Sequence, residues 1–249
     1  MITKLKKSPI DYRDFNADDI YSSITEIPES LDLSIYLNKP RYQGYDGACA
    51  AFAGAAIKEY QENKDNGFKD FFSPLYLYNL REDIFDEGMT ARDLMKILYK
   101  HGIVKEKKYP YNSLSIETPK NLLKSGRKNR ISGYGQIYTL ENLKKALYTN
   151  GPCLISFETY NETERMWKQI DNEPPLGGHG MCVVGYNKEG FIIRNSWGTN
   201  WGNNGNCIYP YEDWGSHWEI WSTIDYKTSS DDKLEDIKKK KKIKNLIHF

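Results

Sequence analysis

A lone cysteine between a glycine-punctuated loop and an alanine-rich stretch is the most constraining feature of this sequence. Residues 42–52 read Tyr-Gln-Gly-Tyr-Asp-Gly-Ala-Cys-Ala-Ala-Phe, and apolar residues then recur at the spacing of one helical face. Cys49 is therefore predicted at a helix N-terminus, where the partial positive charge and unpaired N–H groups favour its thiolate. Small residues on the other faces indicate a helix that is packed on several sides and ends near Asn66 and Gly67.

Two residues far along the chain are suited to work with this cysteine. His179 lies 130 residues after Cys49, between glycines that leave room for a substrate backbone, and Asn195 lies 146 residues after it. A cysteine nucleophile needs a histidine base that is close in space, although not in sequence. Asn195 follows a predicted strand and can orient the imidazole, while Trp197 can screen that contact from water.

The loop before Cys49 has the composition of an oxyanion hole. Gly44 and Gly47 allow sharp turns that make backbone N–H groups converge beside the sulfur, and Gln43 adds a side-chain amide. Taken singly, Cys49 can be a buried small hydrophobe, His179 a loop residue, and the segment at Asn195 a turn. Their occurrence together favours catalysis.

Charge and cysteine usage exclude several classes of protein. The chain has 35 Lys and Arg against 34 Asp and Glu, so no basic field favours nucleic acid or an anionic membrane. We find no signal-peptide-length apolar run and no membrane span. Cys153, Cys182 and Cys207 lie in strand-like runs, so we expect four free thiols and an intracellular, reducing location. No metal or cofactor is implied.

The chain divides into a leader, a helical part, a strand-rich part and a tail. Residues 1–26 show no sustained period, and residues 229–249 form a Lys-rich tail. Helices are predicted from Cys49, from Ser73-Pro74 through Leu80 and Ile84, from Thr90 to Gly102, and from Thr139 to Asn150. Strands are predicted at 153–160, 181–186, 191–195, 207–211 and 218–224. Helices followed by strands suggest two lobes.

Three blocks make the chain resemble the papain-like cysteine proteases. Residues 43–52 are similar to the family's cysteine block, residues 179–186 to its histidine block, and residues 195–202, Asn-Ser-Trp-Gly-Thr-Asn-Trp-Gly, to its asparagine block. Residues 27–32 resemble the start of the mature enzymes. The resemblance as a whole covers roughly residues 27–225. It implies an α+β fold of two lobes with the active-site cleft between them. The peptidase domain would span 27–228, with a helical lobe mainly at 45–112 and an antiparallel β-barrel-like lobe mainly at 130–226.

The resemblance also implies the roles of individual residues. Cys49 would be the nucleophile and His179 the base, paired as thiolate and imidazolium, with Asn195 as orienter and Gln43 as oxyanion donor. Gly88, Gly178 and Trp197 would contact the substrate. The implied function is cysteine endopeptidase, a thiol protease that hydrolyses peptide bonds through a thioester acyl-enzyme. A monomer acting on protein or peptide substrates is expected.

Departures from the family pattern leave alternatives open. Asp46 replaces a disulfide-forming cysteine, which fits a reducing compartment, and Ala50 replaces an aromatic residue. The histidine-bearing insertion of carboxydipeptidase relatives is missing between Gly88 and Tyr109, so an endopeptidase is preferred. A catalytically silent peptide-binding protein and a thioester-based acyltransferase or transpeptidase remain alternatives.

The leader itself suggests a short pro-segment. About 26 extended residues can reach roughly 85–95 Å, enough to cross a cleft. We therefore predict that the leader occludes the cleft, with Tyr12, Phe15 and Tyr21 as apolar anchors, and is removed near Ile27, as in a zymogen. A disordered extension is the alternative.

Overall fold

The structure, a computed structural model, describes residues 3–111 and 119–225. The predicted Lys-rich tail at 229–249 therefore lies outside the described residues. The α-helices are α1 (Asp18–Tyr21), α2 (Cys49–Asn66), α3 (Pro74–Tyr78), α4 (Ala91–Lys100), α5 (Leu123–Gly126) and α6 (Leu140–Asn150). The strands are β1 (Leu31–Asp32), β2 (Gly133–Gln136), β3 (Cys153–Thr159), β4 (Gly177–Tyr186), β5 (Gly190–Arg194), β6 (Asn206–Pro210) and β7 (His217–Ile224).

Helix α2 is the central element, and residues 49–62 are buried along it. Its small residues permit this, because a Cβ added at Gly54 would lie 2.8 Å from Leu94 Cδ1 on α4. The helix ends at Gly67, whose φ of 66° is a left-handed conformation that glycine adopts without strain. The sequence prediction for this helix is confirmed at both ends.

Side-chain caps define the helices around α2. Ser73 accepts a hydrogen bond from the Tyr76 amide, and Thr90 accepts one from the Asp93 amide, as the sequence predicts. The predicted extension of α3 through Leu80 and Ile84 is wrong, since α3 ends at Tyr78. The Arg81 guanidinium donates to the carbonyls of Tyr78 and Ile84, which stabilises a loop there instead.

The strand-rich part is an antiparallel sheet in the order β2-β7-β3-β4-β5-β6, with β1 paired to β4. The expected α+β architecture is present. Within the described residues the sheet stays open, because β2 and β6 lie at opposite edges. The described part of this lobe is therefore an open sheet, and the expected barrel-like closure is absent from it.

Buried ion pairs connect α2 to its surroundings. The Lys58 ammonium on α2 lies 2.5 Å from the Asp225 carboxylate, just after β7, and both side chains are almost fully buried. Glu59 pairs with Arg41 at 3.1 Å. Buried charges need such partners because water no longer solvates them. The lobes are thus joined by charge pairs as well as by apolar packing between α2 and β4.

The leader does not lie free of this body. Residues 15–24 pack along β2 and α6, and residues 3–6 lie between the two lobes. The alternative of a disordered extension is therefore not what the structure shows for the described part of the leader. In the described ranges no helix is long and apolar enough to cross a membrane.

Candidate active site

Cys49 is the first residue of α2, with its side chain fully buried at the boundary of the two lobes. The amide of Gly180 on β4 donates to Cys49 Sγ at 3.4 Å. Gly180 directly follows His179, so this contact brings the predicted nucleophile of the helical lobe to the predicted base of the sheet.

His179 and Asn195 form a direct hydrogen bond, with Nε2 and Oδ1 2.7 Å apart. The amide of Ser196 also donates to Asn195 Oδ1, at 2.7 Å, which identifies that atom as an acceptor. His179 therefore carries its proton on Nε2. Its Nδ1 is buried without a hydrogen-bond partner in the part of the chain that is described, which leaves it available as a proton acceptor.

The Trp197 ring stacks on the His179 ring with centroids 4.7 Å apart. Only 3% of Trp197 is exposed. Its ring covers one face of the imidazole and screens the hydrogen bond to Asn195 from water. This placement suits a screening role, whereas Gly88 and Gly178 lie where a bound chain can reach their backbones.

Gln43 is held from several sides and is itself buried. Its Oε1 accepts from Ser196 Oγ at 2.6 Å, and its Nε2 donates to the Asp46 carbonyl at 2.8 Å. Its backbone amide donates to the Ser196 carbonyl at 2.9 Å. These contacts fix which end of the amide faces each neighbour. Ser196 belongs to the asparagine block, but the sequence pattern contains no signal for its contact with Gln43.

Tyr111 braces the same loop from the helical lobe. Its hydroxyl donates to the Gln43 carbonyl at 2.8 Å, and its ring meets Phe52 edge-on with centroids 4.7 Å apart. Phe52 lies about one turn after Cys49 on α2. The sequence contains no signal for this contact beyond the aromatic character of Tyr-Pro-Tyr.

Residues 3–6 of the leader, which we call the plug, occupy the space between the lobes. The amide of Leu5 donates to the Gly178 carbonyl at 2.8 Å, and the amide of Lys6 donates to the Met89 carbonyl at 3.1 Å. A Cβ added at Gly88 would lie 1.7 Å from the Lys4 carbonyl oxygen. Gly88 and Gly178 therefore face an extended backbone, and their contact with substrate stays a prediction.

Leu5 supplies the apolar contact of the plug. Its side chain is buried, and a Cβ added at Gly180 would lie 2.7 Å from Leu5 Cδ1. Of the predicted anchors, Tyr21 is fully buried and Phe15 packs against the core of the sheet, but Tyr12 is 98% exposed. The prediction of Tyr12 is wrong because spacing alone cannot tell which leader side chain meets the cleft.

Burial sets the protonation state of the two central residues. It raises the pKa of the Cys49 thiol, although the backbone N–H groups of Gly180 and Ala50 oppose the shift. Burial lowers the pKa of His179 to about 4, against the effect of its bond to Asn195. The plugged site therefore favours a neutral thiol and a neutral imidazole. The predicted thiolate–imidazolium pair would be favoured by a more polar environment around these two side chains.

The remaining cysteines and the potential metal ligands form no second reactive site within the described residues. The four cysteines are all free and buried, and no group of three or more potential metal ligands is found in the described ranges. Cys153, Cys182 and Cys207 lie within β3, β4 and β6 and have pKa values raised by burial. Buried, unreactive thiols of this kind are structural.

Comparison of the whole chain with known folds finds close matches in architecture. Xylellain, a cysteine protease from Xylella fastidiosa, superposes with a TM-score of 0.78 over 90% of this chain and 96% of xylellain, at 24% identity. The proform of the ragweed pollen allergen Amb a 11 cysteine protease gives a TM-score of 0.67 over 84% and 70% of the two chains, at 22% identity. Both similarities concern the fold.

Proteins with similar sequences are also described as peptidases. An uncharacterized peptidase C1-like protein of Acanthamoeba polyphaga mimivirus is 29% identical over 68% of this chain and 63% of its own length. Cysteine proteinase 3 of Entamoeba histolytica is 25% identical over 75% of this chain and 64% of its own length. The chain thus spans a little under two thirds of these relatives.

The family model described as papain family cysteine protease matches residues 27–212, which is most of the chain and includes both lobes of the site. With the cysteine, histidine and asparagine blocks and the two-lobed fold all in place, the chain belongs to the papain family of cysteine proteases.

Proposed function

We propose that this protein is a cysteine endopeptidase that cleaves peptide bonds through a thioester on Cys49. The observation that carries the proposal is the meeting of the two lobes at one point, where the Gly180 amide reaches Cys49 Sγ at 3.4 Å beside the His179–Asn195 pair. This contact supports the pairing of Cys49 with His179, 130 positions later in the sequence, as nucleophile and base.

Each residue has a role in the proposed reaction. His179 Nδ1 takes the thiol proton, Cys49 Sγ attacks the scissile carbonyl, and the Cys49 amide and Gln43 Nε2 stabilise the oxyanion. The imidazolium then protonates the leaving amine, and the thioester remains on Cys49. Neutral His179 next removes a proton from water, which hydrolyses the thioester and restores the thiol. Asn195 holds the ring in the tautomer that this sequence needs.

The contacts of the plug support an extended peptide as the substrate. An extended backbone already uses the Gly178 carbonyl and the surface of Gly88, and it continues beyond the cleft past Met89. On that side the cleft accommodates a chain that continues beyond it, as an endopeptidase requires. The same contacts support an inhibitory role for the plug, since substrate and plug need the same groups.

Substitution of the two central residues tests the proposal. In the full chain carrying Leu5→Ala to weaken the plug, Cys49→Ala and His179→Ala should each reduce hydrolysis of a fluorogenic peptide to background, with unchanged circular dichroism. Cys207→Ala, a matched buried cysteine on β6, should retain most activity. Hydrolysis that survives Cys49→Ala would contradict the proposal.

A thiol-directed epoxide probe followed by mass spectrometry separates the two alternatives. The endopeptidase should carry one adduct on Cys49 and also hydrolyse peptide. Absence of an adduct in the Leu5→Ala chain would indicate a silent peptide-binding protein. An adduct without hydrolysis, together with transfer of the acyl group to an added amine, would indicate an acyltransferase.

A further inference from the structure

We propose that the processing site of this chain is residues 9–13, which we call the link, and that cleavage there releases the plug alone. Residues 15–24, which we call the anchor, stay bound as a permanent part of the enzyme. This inference rests on the proposed endopeptidase function and concerns its regulation. It replaces the sequence-based expectation of removal near Ile27.

Covalent attachment adds to the two backbone hydrogen bonds and the buried Leu5 side chain that hold the plug. Its charged contacts, Lys4 with Glu87 at 3.3 Å and Lys6 with Asp86, involve side chains that are 42–69% exposed. Ion pairs at such positions contribute little to binding because water and salt screen them. Leu5 is the main apolar contact to the cleft. Attachment to the body gives the plug a high effective concentration that a severed peptide loses.

The link lies between two points where the leader is held. On one side the Ser8 amide donates to Glu219 Oε1 at 3.0 Å, and on the other Asp14 pairs with Arg92 through both carboxylate oxygens. Between them Ile10 is 86% exposed and Tyr12 is 98% exposed. Within the link, the Arg13 guanidinium donates to the Asp11 carboxylate, which is a contact inside the link itself. Exposed turns with few contacts to the rest of the protein are the segments that proteases cut first. Cleavage adds water across one peptide bond, which yields a new carboxylate and a new amino group.

The anchor completes the edge of the sheet. The Ala17 amide donates to the Gln136 carbonyl at 2.8 Å, and the Gln136 amide donates to the Phe15 carbonyl at 2.9 Å. These bonds pair the leader with the outer edge of β2. An open strand edge is prone to aggregation, so the anchor protects it.

The anchor also fills a gap in the core beneath the sheet. Tyr21 is completely buried, and its hydroxyl lies 2.6 Å from Ser222 Oγ and 2.7 Å from Asn150 Nδ2. Ala17 and Ile20 are buried in the same cluster, with Leu143 and Leu147 of α6. Loss of residues 1–26 would leave a cavity, two unpaired polar groups and an open edge. A cut at Ile27 would therefore remove part of the fold.

Limited proteolysis of the full chain carrying Cys49→Ala tests the position of the link without relying on its own activity. A broad-specificity serine endopeptidase at low dose should make its first cut in the leader within residues 9–13. Residues 14–26 should remain with the protein on native size exclusion, as mass spectrometry can show. A first leader cut at Ile27 that leaves a folded protein without residues 15–24 would overturn the proposal, as would a link that resists cleavage while other loops are cut.

Thiol labelling measures what the cut does to the site. In the wild-type chain, cleavage in the link should raise the rate of Cys49 alkylation by iodoacetamide at least tenfold, and Leu5→Ala should raise it without cleavage. Ile10→Ala, an exposed leader change, should have no effect. Equal alkylation rates before and after cleavage would refute the role of the plug. Peptide hydrolysis is not used, so failure of the proposed function would be seen separately as labelling without turnover.

Two shortened chains separate the anchor from the plug. A chain that begins at Asp14 should melt within a few degrees of the full chain, whereas one that begins at Ile27 should melt at least 10 °C lower or fail to fold. If both melt with the full chain, the anchor is dispensable and the inference is wrong.

Discussion

At the scale of single residues, the site depends on small contacts that orient reactive groups. Asn195 accepts hydrogen bonds from His179 and from the Ser196 amide, and Ser196 in turn donates its hydroxyl to Gln43. One short segment after β5 thus positions both the proposed base and the proposed oxyanion donor. A displacement of this segment would therefore affect both proposed roles together.

Tyr111 provides a testable case at this scale. Tyr111→Phe removes only the hydroxyl that donates to the Gln43 carbonyl, so we expect kcat to fall about 2–10-fold, as loss of one neutral hydrogen bond allows. KM should change little. Tyr109→Phe is the matched control, because the Tyr109 hydroxyl accepts from Asn79 instead.

If Tyr111 acts through Gln43, the effects of Tyr111→Phe and Gln43→Ala on kcat should not add. Gln43→Ala should by itself reduce kcat by roughly 10²–10³, the range for loss of an oxyanion donor. In that background Tyr111→Phe should have almost no further effect. If it reduces kcat by the same factor as in the wild type, Tyr111 acts through general stability and not through Gln43.

At the scale of elements, α2 and the anchor form for different reasons. The central position of helix α2 follows from its composition, because its small residues let α4 and β4 approach it closely. Helix α1 within the anchor has four residues and no side-chain cap, so it forms only because Ile20 and Tyr21 are buried against α6. Short helices of this kind depend on tertiary packing.

The stability of the anchor can be measured with one substitution. Tyr21→Ala removes a fully buried ring and its two hydrogen bonds, so we expect the free energy of unfolding to fall by about 3–5 kcal/mol. Tyr12→Ala, at a position that is 98% exposed, should change it by less than about 0.5 kcal/mol. Urea denaturation followed by fluorescence gives both values. Equal effects would contradict the burial that the anchor assignment requires.

At the scale of the whole molecule, the fold holds its two lobes together without disulfides. The cysteines at 49, 153, 182 and 207 are free, and buried charge pairs such as Lys58–Asp225 connect α2 to the last strand. We expect titration under denaturing, non-reducing conditions to find four thiols in freshly purified protein. A count of two or fewer would contradict both the structure and the proposal of an intracellular, reducing location.

Sequence alone determined the parts of this protein that depend on local chemistry. The position of Cys49 at a helix start, the caps at Ser73, Thr90 and Thr139, and the order of helices before strands all follow from residue type and period. The three spaced blocks predicted that Cys49, His179 and Asn195 would meet, because their resemblance to one family carries the fold with it.

Tertiary structure decided what depends on contacts between distant segments. It placed Leu5 rather than Tyr12 against the active site and showed that Tyr21 belongs to the core. It also shortened α3 and left the sheet open. Leader residues have no periodicity that records which side chain is buried, since their partners on β2, α6 and the cleft wall lie more than 40 residues away. Burial at the meeting of the two lobes, which no local pattern encodes, also raises the pKa of Cys49 and lowers that of His179.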